Sequence, residues 1–372
     1  MRIGLSIAVL LACLLNISAP LQAAESLWPA QDTPISNMIG NYRAVKCSYA
    51  TPTAYTGHLQ LESKYDQRDR TKSQLRTPSD DTRQIRDAIY TYQNGLLEAI
   101  KRFERSKTPE QTNLALACLH TWLDDWARAG AMLSPDASNT GKAVRKWFLA
   151  TASSALLKVQ ALSNRRYRLS WYQERWLQRL ADTVIREYSP RQTLKYRWFN
   201  NHDYWAAWAV ASTGMLLGKE GYLAWADTTL RLAFEQMIPG SNNQYFHLPL
   251  ETARGQRAVN YTHFALLPLV LLLEGLDHNG YHYSEEQLKR LDGLATFAAL
   301  GVIQPDKLPE LASNQEETGV HRMVWLLPWM QHFPGNTAVR QLYQRYGNRI
   351  GSYGQIGGDI RFFYPFNVKQ GL

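Results

Sequence analysis

The sequence of 372 residues has only three cysteines, fewer acids than bases, and no long hydrophobic segment after its first residues. The most apolar later stretch, 264–273, is too short to span a bilayer, which needs about 20 apolar residues. The sequence therefore predicts a protein that is not inserted into a membrane.

Residues 1–24 have the three parts of a secretory signal peptide: a single arginine, the apolar run 7–15, and small residues at the exit. We expect cleavage after Ala23 or Ala24. The mature chain, 25–372, is then predicted to be a single exported domain, located in the periplasm or secreted.

Scarce cysteine makes the remaining pair informative. Cys13 leaves with the signal peptide, so Cys47 and Cys118 are an even pair in an oxidising compartment, which predicts a disulfide. A closed loop of about 70 residues would stabilise the fold by roughly 4 kcal/mol on the chain-entropy model.

The sequence has 32 acidic and 41 basic residues, so its formal charge is +9. Removal of Arg2 with the signal peptide leaves 9 − 1 = +8. A basic surface favours an anionic partner, such as nucleic acid, anionic lipid or acidic polysaccharide. Export argues against nucleic acid, so we expect an anionic polysaccharide. The charge-dense segment 64–72 is either a solvated surface loop or a basic flap over an anionic ligand.

Alternating strand patterns are nearly absent, and no Gly/Ser-rich or Pro-rich linker follows residue 80. Apolar residues instead recur in steps of three and four, beginning with Ile85, Ile89 and Tyr92. Seven to ten consecutive helices predict an all-α fold of antiparallel helix pairs, and the periodicity leaves a bundle, a solenoid and a toroid open. Further helices are expected after a cap at Thr108 and at about 142–162, 170–188, 203–217, 219–237, 257–275, 284–299 and 336–347.

Several catalytic motifs are missing as well. The sequence has no G-x-S-x-G elbow and no P-loop. His278 and His282 form an H-x3-H pair without a third ligand, so we predict no metal and no cofactor. A glycosidase needs two carboxylates across the scissile bond, and the spacing singles out no such pair.

The stretch FNNHDYWAAWAVAST, 199–213, is the first that could carry chemistry. A helix that starts near Asn201 places His202 and Trp205 on one face. Either Asn201 caps this helix and His202 is a partly buried histidine, or both belong to an active site.

A second stretch, LPLETARGQRAVNYTHF, contains Arg254, Arg257 and Tyr261 around a helix start. Arg257 lies one turn and Arg254 two turns before Tyr261. A nearby cation favours phenolate, so we expect the pKa of Tyr261 to lie below its usual value of about 10. Surface arginines around a core tyrosine are the alternative interpretation.

Taken together, the chain resembles the mannuronate-specific alginate lyases of polysaccharide lyase family 5. The resemblance implies an (α/α) toroid, that is, an incomplete α/α barrel, with a deep cleft and an N-terminal lid loop. Six matching blocks follow the family's order over nearly the whole mature chain: SKYDQRD, ACLHTWLDDWARAGAM, NTGKAVRKW, NNHDYWAAWAVAST, LPLETARGQRAVNY and IGGDIRFF.

The resemblance also implies roles for individual residues. Two departures bear on substrate range: the segment 239–244 lengthens the chain before Arg254, and Phe264 stands where the family has a second tyrosine. The implied catalytic residues are Asn201, His202, Arg254 and Tyr261. The resemblance implies Lys64 in the lid as a substrate-binding residue, and we further predict that Tyr65, Asn200, Trp205 and Arg257 bind substrate.

The resemblance therefore implies a lyase that cleaves mannuronate-rich alginate by β-elimination, acting as a monomer. Two assignments stay open: Tyr261 as both base and acid, or His202 as the base with Tyr261 as the acid. The alternatives to this activity are a lyase that also accepts polyglucuronate or other glucuronate-containing glycans, and a non-catalytic polyanion-binding protein that works with the alginate export machinery.

Overall fold

The computed structural model describes residues 23–241, 243–311 and 314–367. Residues 1–22 of the predicted signal peptide lie outside the described residues. Twelve α-helices are described: α1 Pro34–Asn37, α2 Asp80–Arg105, α3 Pro109–Ala129, α4 Asn139–Leu162, α5 Trp171–Tyr188, α6 Asn201–Leu217, α7 Glu220–Gln236, α8 Pro249–Thr252, α9 Ala258–His278, α10 Glu285–Ile303, α11 Leu326–His332 and α12 Thr337–Tyr346.

Strands contribute little to the described chain. They form two short antiparallel pairs, β1 with β2 and β3 with β4. Their bounds are β1 Ile238–Pro239, β2 Phe246–His247, β3 Ser352–Tyr353 and β4 Gly358–Asp359. Single 3₁₀ turns lie at Tyr42–Ala44, Ser189–Arg191, Gly255–Arg257, Pro305–Lys307, Val320–Met323, Gly347–Arg349 and Gly354–Ile356.

The longer helices form pairs of chain neighbours: α2 with α3, α4 with α5, α6 with α7, and α9 with α10. The first helix of each pair also packs on the first helix of the next pair, so α2, α4, α6 and α9 follow one another in an inner layer. Helix α11 continues this layer by packing on α9, and α12 packs outside it on α10. The helix pairs expected from the sequence are therefore present.

Local sequence signals explain where the helices begin. A serine, threonine or asparagine side chain accepts a hydrogen bond from the first turn at seven of the longer helices, which satisfies an otherwise free N–H group. The expected boundaries agree with the structure to within four residues. Helix α11 was not expected, because its seven residues are too few to show a period.

One hydrophobic cluster extends through the inner and outer helices. Helices α6 and α9 are apolar on all sides, as expected of helices that are enclosed by others. Within the described ranges, one helical stretch, Gly255–His278, is long and apolar enough to cross a membrane by composition, and 83% of its most apolar window is buried in the protein. Such burial is typical of a core helix.

The predicted disulfide is confirmed, because Cys47 and Cys118 are bonded across 71 positions of sequence. The bond attaches the segment before α2 to α3. This segment then continues along the helices toward residues 63–76, which we call the lid.

Candidate active site

A cleft with a volume of about 390 Å³ opens between the lid, the start of α6 and the start of α9. Six of the nine residues predicted to act on substrate line it. They are Lys64, Tyr65, Asn201, His202, Arg254 and Tyr261.

The amino end of α6 forms one wall of the cleft. Asn200 is the N-cap, and its side chain accepts a hydrogen bond from the His202 N–H at 3.0 Å. The Asp203 carboxylate accepts from the Asn200 N–H at 2.9 Å, and Arg191 holds that carboxylate. The expectation that Asn201 caps the helix was wrong by one residue. The positive end of the helix dipole therefore faces the cleft, where it favours an anion.

Asn201 is fixed by a buried carboxylate. Its backbone N–H donates to Glu251 Oε1 at 2.9 Å, and its Nδ2 lies 2.8 and 2.9 Å from the two carboxylate oxygens. Glu251, on α8, is 1% exposed. The side-chain oxygen of Asn201 is buried and has no hydrogen-bond partner among the described residues. A buried polar atom of this kind on the cleft wall is available to a ligand.

His202 is the second residue of α6 and lines the cleft beside the Trp147 ring, 5.4 Å away between centroids. Its Nδ1 lies 2.9 Å from Nζ of Lys146, a fully buried lysine on α4. Burial lowers the pKa of His202 well below its usual value, and the cations Lys146, Arg191 and Arg254 lower it further. The imidazole is therefore neutral at neutral pH.

Arg254 and Tyr261 are placed together, as their spacing predicted. The guanidinium carbon of Arg254 lies 4.3 Å from the centroid of the Tyr261 ring, and its Nε is 3.9 Å from Glu251 Oε2. The Tyr261 hydroxyl forms a 2.7 Å hydrogen bond with the Tyr65 hydroxyl of the lid. Arg257 donates to the same Tyr65 hydroxyl at 3.1 Å.

The structure corrects the expected direction of the Tyr261 pKa. Burial raises it, the neighbouring Tyr65 raises it further, and Arg254 offsets these effects only in part. Burial alone would also raise the pKa of Tyr65, but the Tyr261 hydrogen bond together with Lys64 and Arg257 lowers it. The two hydroxyls titrate as a pair, which loses one proton readily and holds the second tightly.

The lid forms a compact loop with a hairpin-like pairing of Tyr65 and Leu75. The Asp69 carboxylate accepts hydrogen bonds from the backbone N–H groups of Ser73 and Gln74 at 2.7 and 2.9 Å. Charges within the loop therefore order its backbone, which the charge-dense sequence did not indicate.

Some of the lid's basic residues are neutralised locally. Arg68 forms an ion pair with Asp66 at 2.8 Å, and Arg76 forms one with Glu62 at 3.0 Å. Lys64 instead lies on the cleft, with its Nζ 5.0 Å from the centroid of the Tyr65 ring. The segment is therefore a flap over the cleft, although only part of its charge faces a ligand.

Three residues predicted to bind substrate do not line the cleft. Trp205 is fully buried, and its Nε1 donates to the Phe264 carbonyl at 3.2 Å, so the predicted substrate contact is wrong and its role is packing. Asn200 acts as the helix cap. Arg257 holds Tyr65 and pairs with Glu316 at 3.2 Å, so it supports the lid from outside the cleft.

Other lining residues were missed by sequence reasoning. Arg322 donates to the Tyr353 hydroxyl at 2.7 Å and lies 4.3 Å from the Phe264 ring centroid. Trp147 lines the cleft, and Lys146 lies against His202 without lining it. Both belong to the quoted block NTGKAVRKW, which is a usable signal, although the sequence assigns neither a role. Arg322 and Tyr353 lie in short irregular elements, where no periodicity marks a functional face.

A second cavity of about 390 Å³ lies beside the disulfide, between Tyr49, Arg102 and Trp122. It does not contain a hydroxyl pair or a histidine, so it offers less for acid–base chemistry than the cleft does. Over the described residues, no group of three or more His, Cys, Asp or Glu side chains is placed to hold a metal ion.

Comparisons with known proteins point to one family. A family model described as "Alginate lyase" matches residues 59–308. An alginate lyase of Pseudomonas putida is 31% identical over 344 residues, covering 89% of this chain and 88% of that protein. An alginate lyase of Pseudomonas aeruginosa is 31% identical over 337 residues, covering 85% and 88%.

Among solved structures, alginate lyase A1-III from Sphingomonas species A1 superposes with a TM-score of 0.67 at 16% identity, covering 92% of this chain and 97% of that chain. A variant of A1-III complexed with a tetrasaccharide gives a TM-score of 0.60 at 18% identity, covering 91% and 92%. These likenesses confirm the (α/α) toroid that the sequence resemblance implied. By the match over most of its length, the chain belongs to the alginate lyase family.

Proposed function

We propose that this protein cleaves the 1,4-linkages of mannuronate-rich alginate by β-elimination and leaves a 4,5-unsaturated uronate at the new non-reducing end. The observation that carries the proposal is the convergence of Asn201, His202 and Arg254 with the Tyr261–Tyr65 hydroxyl pair on one cleft. Elimination needs both parts: one that stabilises negative charge and one that moves a proton.

The first part acts on the uronate carboxylate. The C5 proton is weakly acidic, because its removal builds charge next to a group that is already negative. Donors aimed at this developing charge lower the barrier, especially where water is excluded. The Arg254 guanidinium and the neutral His202 ring supply these donors at the positive end of α6, while the free side-chain oxygen of Asn201 can accept a hydrogen bond from a substrate group beside them.

The second part is the hydroxyl pair. A base must remove the C5 proton, and an acid must protonate the departing O4. Tyr261 is the proposed carrier of both protons in turn. Its hydrogen bond to Tyr65 supports this role, because the pKa of Tyr65 is lowered while that of Tyr261 is raised, so a deprotonated Tyr65 can take the Tyr261 proton and leave Tyr261 as the base.

Stereochemistry favours mannuronate. In mannuronate the C5 hydrogen and O4 lie on the same side of the ring, so one hydroxyl can serve both steps. Guluronate is the C5 epimer and presents the hydrogen on the other side, away from a single hydroxyl that also reaches O4.

A broader substrate range is the second candidate. Glucuronate has the same configuration as mannuronate at C4 and C5 and differs only at C2, so the proposed proton transfers suit both sugars. Phe264 on the cleft wall favours this alternative, since its ring cannot hydrogen-bond a substrate hydroxyl and select one epimer.

The test is to incubate the purified enzyme with polymannuronate, polyguluronate and polyglucuronate and to follow the ultraviolet absorbance of the unsaturated product. We expect the fastest rise with polymannuronate, and mass spectra of products one water lighter than hydrolysis products. Saturated products would contradict the reaction, and equal rates on polyglucuronate would establish the broader range.

We also propose export to the periplasm, on the basis of the predicted signal peptide and the Cys47–Cys118 disulfide. Cell fractionation followed by sequencing of the mature amino terminus should find the protein outside the cytoplasm, beginning at residue 24 or 25. A cytoplasmic protein with an intact first residue would contradict this location.

A further inference from the structure

Lys146 is an unusual neighbour for a residue of the cleft. It is fully buried on α4, and its Nζ lies 2.9 Å from Nδ1 of His202. A buried ammonium normally needs a carboxylate partner. Lys158, on the same helix, has one in Glu104, whereas Lys146 forms no ion pair within the described ranges.

Two aromatic rings partly replace that partner. The Lys146 Nζ lies 4.2 Å from the Trp147 ring centroid and 5.4 Å from that of Tyr188. The negative face of an aromatic ring attracts a cation, and this attraction is stronger away from water. The surroundings therefore suit a charged ammonium, whose one hydrogen-bond acceptor among the described residues is the His202 ring.

We propose that Lys146 is a positioning residue that donates to Nδ1 of His202 and so keeps the ring hydrogen on Nε2, where it serves the uronate carboxylate. An ammonium has hydrogens to donate and no lone pair, so Nδ1 must be the acceptor. A neutral imidazole with an accepting Nδ1 carries its hydrogen on Nε2. The proposal rests on the proposed function, in which His202 stabilises the carboxylate.

The charged groups around the pair are compatible with this arrangement. Burial lowers the pKa of Lys146, with Arg191 acting in the same direction, while Asp203 and Glu187 raise it. Burial and the nearby cations, including Arg254, lower the pKa of His202. Lysine is ordinarily the more basic of the two groups, and the Trp147 and Tyr188 rings lie against its Nζ, so the proposal assigns the shared proton to Lys146 and leaves the imidazole neutral.

This role of Lys146 decides between the two assignments of base and acid that the sequence leaves open. A ring that carries hydrogen on Nε2 and accepts at Nδ1 from Lys146 has no free lone pair to take the C5 proton. His202 is then a donor to the carboxylate, and the proton transfers fall to Tyr261. The same logic operates wherever a partner group selects a histidine tautomer for catalysis.

The experiment is ¹⁵N NMR of the wild-type enzyme labelled at histidine, compared with Lys146→Met and with Lys158→Met as the matched control. Lys158→Met also removes a buried lysine from α4, but it does not touch His202. In wild type we expect His202 as the Nε2–H tautomer. In Lys146→Met we expect a mixture of the two His202 tautomers. The imidazole should titrate at higher pH, because a neighbouring cation has been removed. The kcat should fall by about 10²-fold, which is typical of one misplaced hydrogen-bond donor.

The control should lose thermal stability without changing the tautomer or the pH profile. A wild-type His202 with its hydrogen on Nδ1, or a Lys146→Met enzyme with unchanged tautomer and kcat, would overturn the proposal. The tautomer is measured without substrate, so this experiment can refute the role of Lys146 independently of the proposed function. The proposed function fails if the wild type forms no unsaturated uronate.

Discussion

The floor of the cleft and the lid both contribute polar groups to the site, but they do so in opposite environments. The floor consists of buried or half-buried residues, Asn201, His202, Glu251 and Arg254, each held by a buried partner. Apart from the buried Tyr65 and Ser73, the lid is partly or fully exposed, and 91% of the Arg68 side chain is accessible to solvent. Buried charges interact strongly and are screened little, whereas exposed pairs contribute about 0 to 1 kcal/mol. The floor should therefore set the rate of the reaction, and the lid should adjust affinity.

Tyr261 is where the two regions meet, and its loss should have the largest effect. The substitution Tyr261→Phe keeps the ring that packs under Arg254 and removes the hydroxyl that carries the proton. We expect kcat on polymannuronate to fall by about 10²- to 10⁴-fold, the usual contribution of general acid–base catalysis, with an unchanged circular dichroism spectrum.

Tyr353→Phe is the matched control, because Tyr353 also lines the cleft but bonds to Arg322, not to the lid. It should change kcat much less than Tyr261→Phe does. Near-normal kcat in Tyr261→Phe would remove that hydroxyl from the mechanism and return the base to His202.

The disulfide tests whether the segment that leads to the lid is fixed independently of the floor. Replacing Cys47 and Cys118 with serine should lower the free energy of unfolding by up to about 4 kcal/mol on the chain-entropy model. Denaturant titration of the double variant against wild type measures this loss. In the variant that remains folded, kcat should stay close to that of wild type. An unchanged unfolding midpoint, or a kcat that collapses while the protein stays folded, would argue against this separation.

Glu251→Gln tests the floor itself. A carboxylate accepts all three contacts from Asn201, whereas an amide offers one oxygen and places an N–H group against another donor. We expect a loss of about 1 to 3 kcal/mol in the free energy of unfolding, as for a broken buried hydrogen-bond set, together with a lower kcat.

Glu104→Gln provides the comparison, since Glu104 pairs with Lys158 and does not line the cleft. Its stability should fall by a similar amount while its kcat stays normal. If both variants lose stability equally and neither loses activity, then Glu251 is only a structural residue.

Much of the floor could be predicted from sequence, because its residues other than Glu251 lie near helix starts and the family resemblance selected the active-site interpretation that spacing alone left open. Asn201 and His202 open α6, and Arg254 and Tyr261 flank the start of α9 two turns apart. What local patterns could not provide was contact between distant segments. Lys146 is 56 positions from His202, and Tyr65 is 196 positions from Tyr261.

The errors have the same physical origin. Trp205 shares a helical period with His202, but neighbouring helices enclose α6 on all sides, so a shared face did not mean a shared cleft. The direction of the Tyr261 pKa was mistaken because spacing reveals the nearby arginine and not the burial, which has the larger effect. Periodicity predicts which side of a helix is apolar, but not how far water reaches.

The smallest expected effects belong to the lid, where salt can separate them. Lys64 lies on the cleft and should pair with a uronate carboxylate in a partly exposed contact. Lys64→Ala should therefore weaken substrate binding by about 0.2 to 1 kcal/mol, which raises KM roughly 1.4- to 5-fold. This difference should shrink as salt screens the pair.

Arg70 is exposed and forms no ion pair in the described part of the chain, so Arg70→Ala should mainly flatten the dependence of KM on ionic strength. Arg68→Ala is the control for Arg70→Ala, since the charge of Arg68 is already neutralised by Asp66. The measurement is KM for polymannuronate against ionic strength in all four proteins. If Lys64→Ala coincides with wild type at every salt concentration, the lid contributes no charge to binding, and the floor alone accounts for the affinity.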